Sequence, residues 1–470
     1  MGSQTRYSVI GLGKLGASMV AALASRGFEV TGVDVNPEAV AAVKAGHAPV
    51  YETGLGELIA RHQDRICATL SHAEAIHNSE VTFVVVPTPS DAQGAFSLQY
   101  AAEAFRAIGR ALAEKAGYHL VVLTSTVLPG SMRHGLLPIL EQQSGKTCGA
   151  DFGLCYSPEF IALGSVIHDF LNPDFTLVGE FDARAGDRLQ ASYAEIVQNG
   201  AHCQRMSFEN AELAKIALNS YVTMKITFAN MVAELCEQIP GGDVDAVTRA
   251  LGFDERIGAK YLKGGLGYGG PCFPRDNVAL GYMARALGLT AALTETTDRV
   301  NRAWPAKWAQ QVAGWVQPGQ TVGVLGLAYK PASHVIEESQ SVEVARALAS
   351  RGLRVVAYDP LAGPAARATL QDGAVIVDSL ADCLAQAQVV VITTPDPEFR
   401  ALKAADFGAT LERPVTVIDF WRLLKDELKD QPGLRYVALG QSAADTANGA
   451  RLRAIWNDKL QSQATESGRA

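Results

Sequence analysis

The chain of 470 residues lacks the patterns that mark disulfide-bonded, zinc-binding and membrane proteins. Its seven cysteines are scattered and odd in number, and none forms a C-x-x-C pair, so neither a disulfide framework nor a metal site is expected. Apolar runs such as residues 81–86 are too short to span a bilayer, and the opening residues MGSQTRYSVIGLG show no secretory signal. These absences favour a cytoplasmic protein with reduced thiols and no membrane partner.

An excess of basic residues is also absent. The net charge is −8, which argues against a nucleic-acid partner, and an anionic substrate would need a local cluster of Lys and Arg. With 48% apolar and 19% charged residues, the composition is that of an ordinary globular protein. The length is too great for one hydrophobic core and predicts two or three domains.

A dinucleotide-binding fingerprint is present near the start. A short β-branched strand (residues 7–11) leads into the turn GLGKLG, an apolar helical pattern follows, and a second strand ends at Asp34. Gly11 would make the turn, Gly13 would let the backbone approach a pyrophosphate, and Gly16 would let helix and strand pack closely. Asp34 would accept bonds from ribose hydroxyls and repel a 2′-phosphate, which predicts NAD as the cofactor. The alternative is a tight turn without a ligand.

Two further apolar strands end in small polar residues. They cover residues 81–89 and 119–130 and place Thr88, Ser125 and Thr126 at their carboxyl ends. Ligands of parallel sheets bind beyond these ends, so the three residues are candidates for cofactor contact. The alternative is that they are ordinary polar residues at the start of a loop and bind no ligand.

The second half of the chain repeats features of the first. The sequence ALASRG occurs at residues 22–27 and again at 347–352, each time before a predicted strand. Between the two copies, residues 207–239 contain no Gly or Pro and predict one long helix, which would join domains and pack against a partner subunit, or else form the core of a monomer. The fold class is thus α/β, with two Rossmann-like doubly wound domains joined by a long central helix and a helical middle region. The predicted domains are residues 1–206, which bind NAD; 207–305, central and helical; 306–440, Rossmann-like and binding something other than NAD; and 441–470, a frayed tail.

The loop GGLGYGGPCFPRD carries an isolated thiol, Cys272. It is either a small buried residue in a tight turn or a nucleophile for which the glycines clear space. Asp276 follows four residues later, one helical turn away, and Lys215 and Asn219 are four apart on one side of the long helix. Glu159, in CYSPEFIALG, is a further candidate, although Lys215 could be a solvated charge and Glu159 a helix-start residue.

These motifs together resemble the UDP-glucose/GDP-mannose dehydrogenase family over residues 6–425. The shared motifs are GLGKLG, STVLPGS, SPEF, E-x-x-K-x-x-x-N at Glu212, GYGGPCFPRD and GLAYK. The resemblance implies an NAD-dependent enzyme that oxidises the C6 alcohol of a nucleotide sugar to a carboxylate with two NAD. It further implies that Cys272 traps the aldehyde as a thiohemiacetal that becomes a thioester, and that Glu159 activates the water that hydrolyses it.

The resemblance also assigns roles to other residues. The alkoxide charge would be stabilised by Lys215, Asn219 and Asp276 together with a bound water. Thr126 would lie near nicotinamide and water. Arg256 matches an arginine that family members lend to the neighbouring subunit, which implies a homodimer. The remaining implied contacts are Leu15 for the cofactor, and Glu159, Phe160, Lys215, Asn219, Tyr261, Leu262, Lys263, Gly269 and Lys330 for the nucleotide sugar.

Two departures from the family pattern are apparent. Leu163 stands where the family usually has an acid, and Glu337 stands where it commonly has an arginine that helps to bind NAD. The Cys loop and the segment R-I-G-x-K-Y-L resemble the UDP-glucose branch, which implies UDP-glucose as the substrate and UDP-glucuronate as the product, for use in polysaccharide biosynthesis or another pathway. The alternatives are the same chemistry on another nucleotide hexose, a non-catalytic nucleotide-sugar or NAD sensor, and a simple two-electron dehydrogenase.

Overall fold

The computed structural model describes residues 5–410, 413–442 and 447–467. The chain divides into two compact units. The first unit is Met1–Leu218 with Val278–Thr290, and the second is Asn219–Asn277 with Ala291–Ala470. Among the described residues, no helix has the length and apolar character needed to cross a membrane.

An eight-stranded sheet forms the core of the first unit, in the order β3-β2-β1-β4-β5-β6-β7-β8. All neighbouring strands pair in parallel except β6 and β7, which are antiparallel. The central strands are continuous apolar runs because helices cover both faces of a parallel sheet. The strands are β1 Tyr7–Ile10, β2 Val30–Val33, β3 Ile66–Thr69, β4 Val81–Val84, β5 His119–Leu123, β6 Phe152–Tyr156, β7 Phe175–Glu180 and β8 His202–Ser207.

Successive side chains of the central strands pack into two separate apolar cores. In β1, Tyr7 and Val9 belong to one core and Ile10 to the other, as the twofold alternation of a strand requires. The helices that cover the sheet are α1 Lys14–Ser25, α2 Pro37–Lys44, α3 Leu55–Arg61, α4 His72–His77, α5 Gln99–Glu114, α6 Leu137–Ser144, α7 Val166–Leu171 and α8 Ala183–Ile196. A turn of π-helix, Ser131–Leu136, leads directly into α6.

One helix, α9 (Phe208–Gln238), has 31 residues and contains the boundary between the two units. Its length follows from a stretch without Gly or Pro, and the prediction of a single long helix is confirmed. The helices that follow it are α10 Val244–Gly252, α11 Phe273–Ala286 and α12 Ala292–Ala313.

The second unit contains a six-stranded parallel sheet in the order β11-β10-β9-β12-β13-β14. This order and that of the first six strands of the other sheet are the 3-2-1-4-5-6 order of doubly wound dinucleotide folds, so the predicted fold class is confirmed. The strands are β9 Thr321–Leu325, β10 Arg354–Tyr358, β11 Val375–Ile376, β12 Val389–Ile392, β13 Val415–Asp419 and β14 Leu434–Ala438. The helices are α13 Gln340–Ala349, α14 Gly363–Leu370, α15 Leu380–Gln386, α16 Pro397–Arg400, α17 Lys425–Leu428 and α18 Ala447–Ser467.

The end of the chain differs from its sequence prediction. Residues 447–467 form α18, whereas the small polar composition predicted a frayed tail. Composition was misleading here because this stretch contains Ala, Leu, Arg, Lys and Gln, which favour helix, and only one Gly and no Pro. The predicted domain boundaries at residues 206, 305 and 440 stay a prediction.

Candidate active site

The turn after β1 has the geometry of a dinucleotide loop. Gly11 adopts φ +100°, and a Cβ there would lie 2.0 Å from the carbonyl oxygen of Val85. A Cβ on Gly16 would lie 1.9 Å from the carbonyl oxygen of Gly11, whereas a Cβ on Gly13 would meet no atom within 4 Å. The outer two glycines are therefore required by packing. The open space at Gly13, next to the start of α1, suits a pyrophosphate bound at a helix N-terminus.

Asp34 lies directly after β2 and faces this turn. Its carboxylate accepts hydrogen bonds from the backbone N–H of Leu12 at 2.6 Å and of Asn36 at 2.8 Å. The side chain is half-buried, so lone pairs of the carboxylate remain for ribose hydroxyls. Leu15, in the first turn of α1, packs partly against the apolar core. The residues of this turn thus fit NAD.

The polar residues after β4 and β5 bind each other across the strand ends. The Ser125 hydroxyl donates to Val86 O at 2.7 Å and accepts from Val86 N at 2.9 Å, and the Thr88 hydroxyl donates to Thr126 O at 2.8 Å. Ser125 and Thr88 are buried, whereas Thr126 is partly exposed. These bonds fix the positions of the two strand ends, and cofactor contact by these residues stays a prediction.

Glu159 and Lys215 lie together in the first unit. The Lys215 ammonium donates to the backbone carbonyl of Glu159 at 2.7 Å and lies 4.5 Å from the centre of the Phe160 ring. Glu159 as a whole residue is partly exposed, but protein surrounds its carboxyl group. This burial raises the pKa of Glu159 to about 7, although Lys215 and the Tyr193 hydroxyl act to lower it. A carboxyl with such a pKa can act as a general base near neutral pH.

A second buried carboxyl, Glu212 on α9, was not singled out as a site residue by sequence reasoning. It accepts from the backbone N–H of Gly130 at 2.6 Å and of Met132 at 2.7 Å, and burial raises its pKa to about 7. These bonds fix the loop after β5 to α9, three residues before Lys215. Glu212 is the first residue of the motif E-x-x-K-x-x-x-N, so the sequence could have identified this position.

Asn219 and Asp276 form a pair in the second unit. The Asn219 side-chain amide donates to the Asp276 carboxylate at 2.6 Å, and both side chains are buried. The backbone N–H of Asp276 donates to Cys272 O at 2.9 Å, so the predicted helical turn between the two residues is present at the start of α11. Cys272 itself is exposed and forms no disulfide with the other described cysteines, and the interpretation of it as a buried core residue is wrong.

Buried polar side chains hold the glycine loop before Cys272, and sequence reasoning missed all of them. Asn230 on α9 accepts from Gly265 N at 2.8 Å and donates to Leu266 O, and Asn301 on α12 makes the equivalent pair of bonds with Tyr268. The Arg422 guanidinium, which forms a two-point ion pair with Asp245, donates to Gly264 O at 2.8 Å. Because five of the seven residues from Gly264 to Gly270 are glycine, these bonds hold the loop mainly through its backbone.

The remaining predicted substrate residues lie on the surface or in the loop. Arg256 is exposed and pairs with Asp254 at 2.6 Å, and Tyr261 is exposed with φ +65°. The others differ in burial: Lys263 is exposed, Lys330 partly exposed, and Leu262 and Gly269 buried. All six of these residues belong to the second unit, and their contacts with a nucleotide sugar stay a prediction.

A dinucleotide turn with its acid and a second sheet of the same strand order define the class of NAD-dependent dehydrogenases. Comparison with known proteins makes this specific. Three models of the UDP-glucose/GDP-mannose dehydrogenase family match: the NAD binding domain at residues 5–197, the central domain at 209–303 and the UDP binding domain at 323–426. The chain therefore belongs to this family of NAD-dependent nucleotide-sugar 6-dehydrogenases, with NAD as cofactor.

Relatives within the family differ in substrate. UDP-glucose 6-dehydrogenase AglM of Haloferax volcanii is 35% identical over 421 residues, which are 89% of this chain and 96% of the relative. GDP-mannose 6-dehydrogenase of Azotobacter vinelandii is 33% identical over 84% of this chain and 93% of its own. The solved UDP-glucose dehydrogenase of Pyrobaculum islandicum has 35% identity and a TM-score of 0.83 over 94% of this chain and 99% of its own.

Proposed function

We propose that this chain oxidises the C6 alcohol of UDP-glucose to the carboxylate of UDP-glucuronate, in a four-electron reaction that passes through a thioester on Cys272. The observation that carries the proposal is the exposed thiol at the start of α11, one turn from the buried pair of Asn219 and Asp276. A cysteine that only fills the hydrophobic core would be buried rather than exposed at this position. NAD, when bound, accepts the hydride in each of the two oxidations.

The thiol makes the second oxidation possible. An aldehyde is a poor hydride donor, so the Cys272 thiolate adds to its carbonyl carbon and forms a thiohemiacetal, with a C–S bond and an oxygen that gains a proton. Loss of that proton and a hydride leaves a thioester. Water then attacks the thioester carbonyl, the C–S bond breaks with its electron pair on sulfur, and the carboxylate leaves.

The polar groups near the thiol and on α9 would control the charges that appear on oxygen. Lys215 and Asn219, four residues apart, point to one side of α9, and we assign them with Asp276 and a bound water to the developing alkoxide. Glu159 takes a proton from the hydrolytic water, and we place Thr126 near that water. Because burial raises the pKa of Glu159 to about 7, acid formation should increase as pH rises through this value.

Three observations favour UDP-glucose over other nucleotide hexoses. The loop GYGGPCFPRD and the segment R-I-G-x-K-Y-L resemble the UDP-glucose branch, and both the first relative named above and the solved structure act on UDP-glucose. The match of residues 323–426 to a UDP binding domain supports a uridine nucleotide. We assign Lys263 and Lys330 to its phosphates.

We further propose that the enzyme is a homodimer whose interface includes α9. One side of this helix exposes Tyr221, Phe228, Met231 and Leu235, at spacings of seven, three and four residues. A second copy of this chain would cover this apolar stripe. Arg256 is exposed and would reach the neighbouring active site, as the family resemblance implies.

The test is a panel of nucleotide sugars with NAD, read by absorbance of NADH. UDP-glucose should give two NADH per sugar, one NADH would indicate a two-electron dehydrogenase, and none with any sugar would indicate a sensor. Preference for GDP-mannose or an N-acetylated sugar would overturn the substrate but not the reaction.

Cys272→Ser tests the covalent step. Serine is a weaker nucleophile than a thiolate, so acid formation should fall by about 10³-fold or more, while NAD binding stays unchanged. Cys67→Ser, which changes another exposed cysteine, is the matched control and should keep full activity. Normal acid formation by the Cys272 variant would exclude the thioester.

A further inference from the structure

A hydrogen bond between two side chains closes the segment of chain that carries Cys272. The side-chain amide of Asn277, near the start of α11, donates to the hydroxyl oxygen of Tyr268 at 2.9 Å, nine residues away in the sequence. Both side chains are buried, whereas Cys272 lies between them at an exposed position. The ring of Tyr268 also packs edge-on against the ring of Phe273, the residue directly after Cys272, with 6.4 Å between the ring centres. One tyrosine thus contacts the chain on both sides of the thiol.

We propose that Tyr268 and Asn277 are positioning residues, whose hydrogen bond places the Cys272 thiol for attack on the aldehyde. This inference rests on the proposed function, because it takes Cys272 as the nucleophile. Neither residue takes part in the chemistry itself, so the bond should affect only those steps that need the thiol.

A carboxylate fixes the direction of this bond. Asp298, on α12, forms an ion pair with Arg302 at 2.8 Å and can only accept hydrogen bonds, and it lies 3.3 Å from the Tyr268 hydroxyl. The single phenolic proton therefore points to Asp298. Burial, together with the charge of Asp298, raises the pKa of Tyr268 well above its usual range, so the proton is retained. The phenolic oxygen must then accept, and the Asn277 amide N–H is its donor.

The other N–H of Asn277 connects the closed segment to the long helix. It donates to the Thr223 hydroxyl oxygen at 3.0 Å, and the Thr223 hydroxyl donates in turn to the backbone carbonyl of Ser220 at 2.8 Å. Thr223 lies one helical turn beyond Asn219, whose amide binds Asp276. Two neighbouring residues of α11 are therefore bonded to consecutive turns of α9.

These contacts allow the position of the thiol to change separately from the groups assigned to the alkoxide. Asp276 keeps its own bond with Asn219 at 2.6 Å when the bond between Tyr268 and Asn277 is removed. Hydride transfer between the alcohol and the aldehyde does not need the thiol, whereas oxidation of the aldehyde does. Because a displacement of about 1 Å can cost about 10²-fold in rate, loss of the bond should slow the second oxidation and leave the first largely unchanged.

The experiment supplies the 6-aldehyde of UDP-glucose to the full-length enzyme in two separate assays. With NAD, formation of NADH measures the oxidation that needs the thiol. With NADH, its consumption measures reduction of the aldehyde to the alcohol, which is the reverse of the first oxidation. In Tyr268→Phe, the kcat of aldehyde oxidation should fall about tenfold, while that of reduction should change less than about twofold. Cys272→Ser is the reference, because it should lose oxidation and keep reduction.

A double-mutant cycle tests whether the bond itself is responsible. Asn277→Leu removes the donor while filling a similar volume, and it should slow aldehyde oxidation at least as much as Tyr268→Phe does. Because both substitutions remove the same bond, the double variant should be slower than Asn277→Leu by no more than about twofold. Effects of the two substitutions that multiply would show that the residues act separately, and would overturn the proposal.

Tyr436→Phe is the matched control. Tyr436, on β14 in the same unit, donates its hydroxyl to the Asp419 carboxylate at 2.9 Å, so the same substitution removes a similar bond outside the Cys272 segment. This variant should keep both rates, and thermal unfolding should show that both Tyr→Phe variants are folded.

Three results would overturn the positioning role alone. They are an unchanged rate of aldehyde oxidation in Tyr268→Phe, an equal loss of oxidation and reduction in that variant, and the same selective loss in Tyr436→Phe. Wild-type enzyme that oxidises neither UDP-glucose nor its aldehyde overturns the proposed function, and the inference with it.

Discussion

The two Rossmann-like sheets of this chain have the same strand order but differ in the turn that follows their first strand. In both, the sequence ALASRG ends the helix after that strand, at the ends of α1 and α13, and the glycine that closes it has positive φ. In the first sheet, α1 begins at Lys14, directly after the turn. In the second, the chain passes Gly326 and reaches its next helix only at Gln340. The fold is therefore repeated, but the helix that starts directly after the first turn is not.

The acids at the ends of the second strands show the same difference. Asp359, after β10, accepts four backbone N–H bonds of 2.7–2.9 Å, two from residues 327–328 and two from residues 361–362, and is buried. Asp34 accepts two such bonds and is half-buried. A carboxylate has about four acceptor sites, so Asp359 has none left for a ligand, whereas Asp34 does. Equivalent positions thus have an acid that is saturated by backbone bonds in one sheet and, in the other, an acid that we propose binds NAD.

The largest effect is expected from Gly16→Ala. The new methyl group would lie 1.9 Å from the carbonyl oxygen of Gly11, and backbone cannot move aside as a flexible side chain can. Overpacking should cost roughly 3 kcal/mol, more than the ~1 kcal/mol that alanine gains over glycine inside a helix. We expect a lower unfolding temperature and NAD binding too weak to detect, measured by thermal denaturation and calorimetry.

Gly13→Ala is the control, because a Cβ there would meet no atom within 4 Å. Its unfolding temperature should match the wild type, while NAD binds about tenfold more weakly because the methyl group occupies the space of the pyrophosphate. Equal NAD affinity in Gly13→Ala and wild type would mean that the cofactor does not approach this turn.

Asp359→Asn and Asp34→Asn should separate stability from cofactor affinity. In the first variant, the side-chain amide that replaces the carboxylate can accept fewer of the four N–H bonds, which should lower stability by about 2 kcal/mol and leave the Kd for NAD unchanged. Asp34→Asn should raise that Kd by about tenfold with a smaller loss of stability. Urea denaturation and calorimetric titration measure the two quantities. A weaker Kd in the Asp359 variant would contradict the comparison.

Sequence patterns predicted those features that depend on local spacing. The fingerprint at Gly11, the uninterrupted stretch that forms α9 and the repeated ALASRG each lie within a short window, and the fold class followed from them. The turn from Cys272 to Asp276 was predictable for the same reason. Lys215 and Asn219 were predictable as a helical pair.

The supporting residues could not be predicted because their partners are far apart in the chain. Arg422 binds Gly264 O across 158 positions, and Tyr193 lies 36 residues from Ser157 on a different element. No spacing rule selects one buried tyrosine or arginine among many, since the choice depends on which elements pack together. The sequence pattern also gives no indication that Asp359 would be fully occupied by backbone bonds.

The smallest effect is expected from Glu337→Arg, which tests whether the second Rossmann-like domain contributes to NAD affinity at all. Glu337 is exposed, its backbone carbonyl accepts from Gly270 N at 3.0 Å, and family resemblance places at this position an arginine that helps to bind NAD. Reversal of an exposed charge is worth about 1 kcal/mol, so the Kd should fall about fivefold and the gain should shrink at high salt. Glu338→Arg, one residue along, makes the same charge change but removes an ion pair with Arg302, and it should leave the Kd unaltered. If the Kd for NAD is unchanged or higher in the Glu337 variant, only the first Rossmann-like domain contributes to NAD affinity. The two domains would then differ completely in cofactor binding.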